Sequence, residues 1–186
     1  MTDVEKVLHR VLNDIRVELG EEFDKNFERQ GFFSEKWARR KSPVRGDGHV
    51  LVDTGALRRS IRSEVRDGSV SFFSDLPYAA IHNEGGEIKV TARMKRFFWA
   101  RYYECQRGLS YRKDGSERQT KKNGRLNSEA EWWRAMALMK VGKSIRIPRR
   151  RFLGVSREVE GAVRDIIERN LAEYFSNVNF SINKSN

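Results

Sequence analysis

Cysteine, proline and histidine are scarce in this chain, and long apolar runs are missing. The single cysteine, Cys105, excludes an internal disulfide framework and a cysteine-based zinc site. No stretch approaches the ~20 apolar residues that span a bilayer, and Asp3 and Glu5 near the start argue against a secretory signal. We therefore expect a folded, soluble, intracellular protein with no membrane partner.

Residue patterns that support catalysis are also missing. The histidines lack the spacing of a metal-binding helix pair, so we expect no bound metal. Gly142-Lys143-Ser144 lacks the upstream glycines of a phosphate loop. A Cys–His pair built on Cys105 and a nuclease-type His82-Asn83 pair stay open as alternatives, but no further motif supports either. We expect no catalytic residue, no cofactor and no enzyme activity. The histidines are His9, His49 and His82.

Positive charge is in excess, and the excess is confined to the centre of the chain. The sequence of 186 residues carries 37 Lys and Arg against 26 Asp and Glu, a net charge of +11. Residues 1–88 hold 14 basic and 16 acidic side chains, residues 89–151 hold 19 and 5, and residues 152–186 hold 4 and 5. The centre is therefore a candidate contact with an anionic partner, although such a charge run is also typical of a solvated face.

Apolar periodicity predicts a long amphipathic helix at each end of the chain. Thr2 and Glu5 fit a capping box, and the apolar stripe behind them recurs every three or four residues until Gln30. Ser156 is expected to cap a second amphipathic helix, followed by a polar tail over residues 177–186.

Short strands are predicted between these two helices. Residues 61–65 and 70–72 flank Asp67-Gly68, a dipeptide that favours a two-residue hairpin turn. The other predicted segments are a loop over 32–50, a helical turn over 77–82, and strands over 87–91 and 143–148.

Residues 92–143 leave this sheet after one strand and return at another, which predicts a basic helical insertion. Within it we expect a helix over 92–104, a mobile loop over 107–125 and a second helix that starts at a capping box of Ser128 and Glu131. The predicted fold class is α+β, a small antiparallel sheet packed by the N- and C-terminal amphipathic helices. We expect one domain over 1–176, interrupted by this insertion.

Aromatic residues alternate with the cations of residues 93–151. Cations that contact phosphates and rings that stack on bases suit nucleic acid. The alternative, which we favour, is that the rings form a small core between helices while Lys and Arg face solvent. The candidate contacts with DNA or with an acidic partner are Lys121, Lys122, Arg125, Lys143, Arg146, Arg149, Arg150 and Arg151.

Several short motifs occur in an order that carries a resemblance. Trp37 precedes Leu51-Val52-Asp53-Thr54-Gly55-Ala56-Leu57; then come Tyr78-Ala79-Ala80-Ile81-His82-Asn83 with Gly85, and Ile147-Pro148-Arg149-Arg150-Arg151-Phe152-Leu153-Gly154. This order resembles the phage virion-morphogenesis, or tail-completion, family of Mu-like and P2-like tailed phages and prophages. The resemblance covers roughly residues 1–91 and 145–175 and leaves 92–143 outside it.

The resemblance implies a structural protein of the head–tail junction or tail end, found in the virion and, during assembly, in the host bacterial cytoplasm. Its partners would be further copies of itself in a ring, tail-tube, terminator or connector proteins, and genomic DNA. A dedicated nucleic-acid-binding protein that uses residues 93–151 is the alternative. The resemblance implies structural roles for Trp37, Leu51, Asp53, Thr54, Gly55, Leu57, Tyr78, His82, Gly85, Pro148, Phe152, Leu153 and Gly154.

Overall fold

Six helices and six short strands make up the part of the chain that the computed structural model describes, residues 2–44 and 49–183. The strands form three antiparallel two-stranded pairs, β1–β2, β3–β4 and β5–β6. The predicted α+β class is confirmed, with helices at both ends. In chain order the elements are α1 (Asp3–Arg29), β1 (Gly31–Phe32), β2 (Glu35–Lys36), α2 (Ala56–Arg59), β3 (Ile61–Arg66), β4 (Ser69–Ser74), α3 (Ala79–Glu84), β5 (Gly86–Lys89), α4 (Ala92–Arg107), α5 (Lys121–Leu138), β6 (Ser144–Ile147) and α6 (Arg157–Asn183).

The chain divides into two compact units. The first, which we call the terminal unit, comprises Met1–Trp37, His49–Asn83 and Arg150–Asn186. The second, which we call the basic unit, comprises Ala38–Gly48 and Glu84–Arg149. The basic unit is longer than the predicted insertion 92–143, because it also includes β5, β6 and the segment after Trp37.

The terminal unit is built on α1 and α6. The predicted capping box is present, since the Thr2 hydroxyl accepts from the Glu5 amide and the Glu5 carboxylate accepts from the Thr2 amide. The apolar stripe of α1 packs against the first half of α6, with Arg10 paired to Glu173 at the far end. The buried residues of this core are Val11, Ile15, Leu19, Phe23, Phe32, Val159 and Ile166.

The β3–β4 hairpin covers one side of this core. Arg66 pairs with Ser69 across Asp67-Gly68, and both turn residues have positive φ, 50° and 72°, as the predicted turn requires. Phe72 meets Phe23 edge to face, with ring centroids 5.0 Å apart. The hairpin thus packs one face against α1. Exposed and partly buried residues alternate along both strands, as expected for a strand pair with one face covered.

The basic unit is a helical hairpin that stands on a strand pair. The β5 and β6 strands run antiparallel, with Gly86 opposite Ile147 and Lys89 opposite Ser144. The two helices contact along a seam with alternating three- and four-residue spacing, which is the spacing of packed antiparallel helices. Its members on α5 are Asn123, Leu126, Ala130, Trp133 and Ala137; Phe98 and Cys105 are the buried residues of α4.

Two predictions for the segment between α4 and β6 are wrong. The predicted loop over 107–125 ends early, because α5 begins at Lys121 and the Thr120 side chain caps it by accepting from the Asn123 amide. Ser128 starts no helix; it lies inside α5, where its hydroxyl donates to the Gly124 carbonyl at 3.0 Å. The α6 backbone continues to Asn183, past the predicted start of a polar tail at 177; residues 184–186 lie outside the described residues.

Candidate functional site

Five of the thirteen motif residues singled out from the sequence meet in a second core of the terminal unit. Trp37, Leu57 and Phe152 are buried there, with Leu51 and Leu153 packed against them. The remaining buried members are Phe27 and Ala79, and the Phe27 ring lies 5.5 Å from Trp37 and 5.6 Å from Phe152. Motifs separated by about a hundred residues of sequence therefore contribute to one packed cluster.

The backbone of residues 150–153 is held at every residue by a partner from elsewhere in the terminal unit. The Arg150 amide donates to the His82 carbonyl at 2.8 Å, and Trp37 Nε1 donates to the Arg151 carbonyl at 2.6 Å. The Phe152 and Leu153 amides donate to Asn83 Oδ1 at 2.9 and 3.0 Å. The Trp37 indole, the His82 carbonyl and the Asn83 side chain thus fix the extended segment that leads into α6.

Two asparagines complete this arrangement, a role that was not predicted for either of them from the sequence. Asn83 is one of them. The other is Asn26, fully buried, whose Nδ2 donates to the Phe152 carbonyl at 3.4 Å and whose Oδ1 accepts from the Phe33 amide at 2.9 Å. Its sequence signal is an amide on the apolar stripe of α1, where a polar side chain needs a specific partner.

The motif at 51–57 forms the entry to the short helix α2. Leu51 has a positive φ of 64° and Gly55, at the N-cap, one of 74°. The Thr54 hydroxyl accepts from the Ala56 amide at 3.3 Å, while Asp53 is exposed. Within α2, Arg58 pairs with Asp24 of α1 and so anchors α2 on α1. The hydrogen bond from Arg58 is the main reason that the pKa of the Asp24 carboxyl is lowered.

His82 is half-buried beside Tyr78, with ring centroids 6.0 Å apart. Burial, and then the positive charge of Arg150, lowers the His82 pKa, so the ring is neutral at neutral pH. Its Nδ1 is buried and has no hydrogen-bond partner among the described residues. The backbone carbonyl of His82, rather than its ring, carries the contact that the motif makes.

Three motif residues shape the backbone at the ends of these segments. Gly85, with φ 75°, lies so close to residue 149 that an added Cβ would be 2.8 Å from the Arg149 amide nitrogen. Pro148 follows the last residue of β6 and ends that strand. Gly154, with φ 142°, faces the Arg151 guanidinium, which an added Cβ would meet at 2.8 Å.

The Arg149–Arg151 run does not form one basic patch. Arg150 is only 8% exposed, and its side chain has interactions of its own. The Arg151 guanidinium lies over the Phe32 ring, 4.6 Å from its centroid, and donates to the Val155 carbonyl. Only Arg149 is exposed. A contact with an anionic partner through this run therefore depends on Arg149.

The other candidate cations all lie in the basic unit and are exposed. Lys121 and Lys122 form the first turn of α5, and Arg125 pairs with Glu129 at 3.5 Å. Arg146 stands opposite Glu87 in the strand pair. Lys143 directly precedes β6, and its carbonyl accepts from the Val90 amide at 2.9 Å. These residues are spread over the unit rather than gathered at one point.

Several aromatic rings of the basic unit form a small core between its helices, as we favoured over stacking on bases. Phe98 is buried and stacks on Trp133, with centroids 5.9 Å apart. Burial also raises the pKa of Cys105, which leaves a thiol rather than a reactive thiolate. Phe97 and Tyr103 are different, since they are 54% and 56% exposed.

Within residues 2–44 and 49–183, no group of three or more His, Cys, Asp or Glu side chains is placed to hold a metal ion. None of the helices in that part of the chain is long and apolar enough to cross a membrane.

Comparison with known proteins identifies the family. No curated protein and no solved structure matches the chain at a significant level. The model of the phage virion morphogenesis family matches residues 3–172, a range that includes the whole basic unit, with 92–143, and most of the terminal unit. That range contains every motif residue of the second core and the segment 150–153 that they hold. The chain therefore belongs to the phage virion morphogenesis family.

Proposed function

We propose that the protein acts in tail completion or head–tail joining, as a structural component rather than an enzyme. It assembles with further copies of itself and with tail-tube, terminator or connector proteins, in the host bacterial cytoplasm and then in the virion. The family membership supports a role in virion morphogenesis; the more specific step is our inference from the surface of the terminal unit.

An open apolar groove on the terminal unit carries this proposal. Its volume is about 540 Å³, and α1, the β3–β4 turn and the start of α6 line it. Leu12, Val70 and Val163 contribute apolar walls, and Val155 at the rim is 65% exposed. An apolar groove of this kind on a protein surface is typical of a protein–protein contact.

The hairpin beside the groove adds a second means of assembly. β3 and β4 pair only with each other among the described residues, so each has one edge with free backbone amides and carbonyls. Such edges are templates for pairing with another chain. A second copy that fills the groove would also reach these edges, which favours self-assembly over capture of a small ligand.

The test is a charge placed in the groove of the full-length protein. V155E should shift the mass distribution in native mass spectrometry toward the monomer, because a carboxylate at the rim penalises an apolar interface. V17E is the matched control, since Val17 is 49% exposed and does not line the groove. Equal assembly of the two variants contradicts the role of the groove, and a phage that lacks the gene but makes complete tails contradicts the function.

Sequence-independent binding of nucleic acid through residues 93–151 is the second function we propose. It is supported by the exposed cations of the basic unit, among which Lys121, Lys122 and Lys143 form no ion pair with any described residue. Binding that rests on phosphate contacts weakens steeply with salt. Fluorescence anisotropy with a labelled duplex over a salt series measures it, and salt-independent or absent binding removes this function.

A further inference from the structure

The outer face of α4 combines exposed arginines with exposed aromatic rings. Arg93, Arg96 and Arg107 are exposed on it, together with Phe97 and Tyr103. At 3.6 residues per turn these five positions lie within about a third of the helix circumference, which places them on one side of the helix. The opposite side of the helix holds Phe98 and Cys105 in the seam with α5.

Among the described residues, the arginines of this face have no compensating carboxylate. Arg93, Arg96 and Arg107 form no ion pair with any carboxylate in the described residues. The one acidic residue of the face, Glu104, forms an ion pair with Arg101 instead. In the terminal unit the long helices behave differently, since Arg10 of α1 pairs with Glu173 of α6 and Arg169 of α6 with Glu18 of α1.

The cations in the first turns of α4 and α5 oppose helix stability. The first turn of α1 contains Asp3 and Glu5, and that of α6 contains Glu158 and Glu160, as the positive end of the helix dipole favours. The first turns of α4 and α5 contain no acidic residue; that of α4 instead contains Arg93, and that of α5 begins with Lys121. These side chains destabilise their own helices, and an external anion would relieve that cost.

The spacing along α4 suits a nucleic acid duplex. At 1.5 Å per residue, Arg96 and Arg107 lie about 16 Å apart along the helix axis. The major groove of a duplex is about 12 Å wide and admits an α-helix. Guanidinium groups at the two ends can therefore contact phosphates on both sides of the groove, while Phe97, the small Ala100 and Tyr103 face into it.

We propose that the outer face of α4 binds double-stranded DNA without sequence preference, through phosphate contacts of Arg93, Arg96 and Arg107. This specifies the site of the second function proposed above and rests on it. Arginine suits this role because its planar guanidinium pairs with two phosphate oxygens at once.

The experiment compares two triple variants of the full-length protein that carry the same change in net charge. One is R93Q/R96Q/R107Q, and the other is R10Q/R16Q/R164Q, which removes exposed arginines of the terminal unit. Binding of a labelled 30-base-pair duplex is measured by anisotropy over a salt series. The α4 variant should lower the log–log salt slope by about three and the control by less than one, because each lost phosphate contact removes about 0.9 from the slope.

Additional variants and measurements distinguish the possible reasons for a negative result. R93K/R96K/R107K keeps the charge and should keep most of the slope, and circular dichroism of each variant reports whether the helices are retained. A wild-type protein that binds no duplex at low salt overturns both this site and the second function. Wild-type binding with equal slopes for both glutamine triples overturns the site alone. A single strand that binds more tightly than the duplex overturns the choice of duplex, as does binding only to an acidic protein.

Discussion

Asn83 and Asn26 show how single side chains position a segment that has no regular structure. One Asn83 oxygen accepts from two successive amides, and Asn26 contacts the same segment from α1. Each buried backbone group that loses such a partner costs about 1–3 kcal/mol. These two side-chain amides therefore hold the segment that leads into α6.

His82 makes the stability of the terminal unit depend on pH. Its pKa is lowered by burial and by Arg150, so the unfolded chain, with an ordinary histidine pKa of about 6.5, binds the proton more readily than the folded one. Stability is then complete above the unfolded pKa and declines as the pH falls from about 6.5 through the lower folded value.

We predict that H82Q flattens this decline. The free energy of unfolding of the wild type should fall between pH 7 and pH 5 by more than that of H82Q, as measured by chemical denaturation at each pH. Since Gln does not titrate, it removes the proton uptake while keeping a polar side chain. Parallel curves for the two proteins would show that His82 titrates equally in both states.

Local sequence decides the main elements, and particular side chains decide their ends. The capping box and apolar stripe predict α1, and Asp67-Gly68 predicts the β3–β4 hairpin, because those signals act within a few residues. The start of α5 could not be predicted in this way. There Asn123 is buried and bonds to Ser110, thirteen residues earlier, and to the Arg118 carbonyl. Such a network depends on the folded loop and has no periodic signature.

The sequence predicts which motif residues matter but not how their side chains are arranged. The ordered motifs indicate the family, and Trp37 and Phe152 are recognisable as anchors. That the Arg150 side chain is buried and Arg151 lies on Phe32 follows from the way the backbone of 150–153 is held. A run of like charges in sequence therefore overstated the basic surface at this point, whereas the α4 face was understated.

The β5 strand begins where the chain must pass very close to itself. Gly85 has a positive φ, and a Cβ there would overlap the backbone of Arg149. Gly68 also has a positive φ, but nothing lies within 4 Å of its added Cβ. A substitution at Gly68 therefore adds backbone strain alone, whereas one at Gly85 adds backbone strain and steric overlap.

We predict that G85A destabilises the protein by about 2–4 kcal/mol and G68A by about 1 kcal/mol. Both variants pay for a left-handed alanine, and only G85A adds a backbone overlap that a side-chain rotation cannot remove. Chemical denaturation of each variant against the wild type measures the difference. Equal losses would mean that the backbone at Arg149 yields freely.

At the scale of the whole molecule, the two units differ in how their parts are drawn from the sequence. The terminal unit combines three separated segments, whereas most of the basic unit is the continuous stretch Glu84–Arg149. The β5–β6 ladder closes with the Val90 amide on the Lys143 carbonyl and the Gly142 amide on the Val90 carbonyl. The helical hairpin therefore starts and ends at one closed strand pair.

We predict that residues 91–142 can be replaced by Asn-Gly without loss of the terminal unit. The dipeptide favours the two-residue turn that joins paired strands. Hydrogen exchange should show α1 and α6 protected as in the full chain, self-assembly should persist, and duplex binding should be lost. Loss of protection in α1 would contradict the predicted independence of the insertion.

The packing of α1 on α6 has a consequence for the order of events during synthesis. About 130 residues separate the end of α1 from the start of α6, and at roughly 5–20 residues per second a ribosome needs on the order of ten seconds to make them. The α4–α5 hairpin has its contacts within a short stretch and can form during that interval. The β3–β4 hairpin can cover one side of the α1 stripe during that interval, but the part that packs against α6 stays exposed until α6 emerges. Chaperones that shield nascent apolar helices should therefore bind this part of α1.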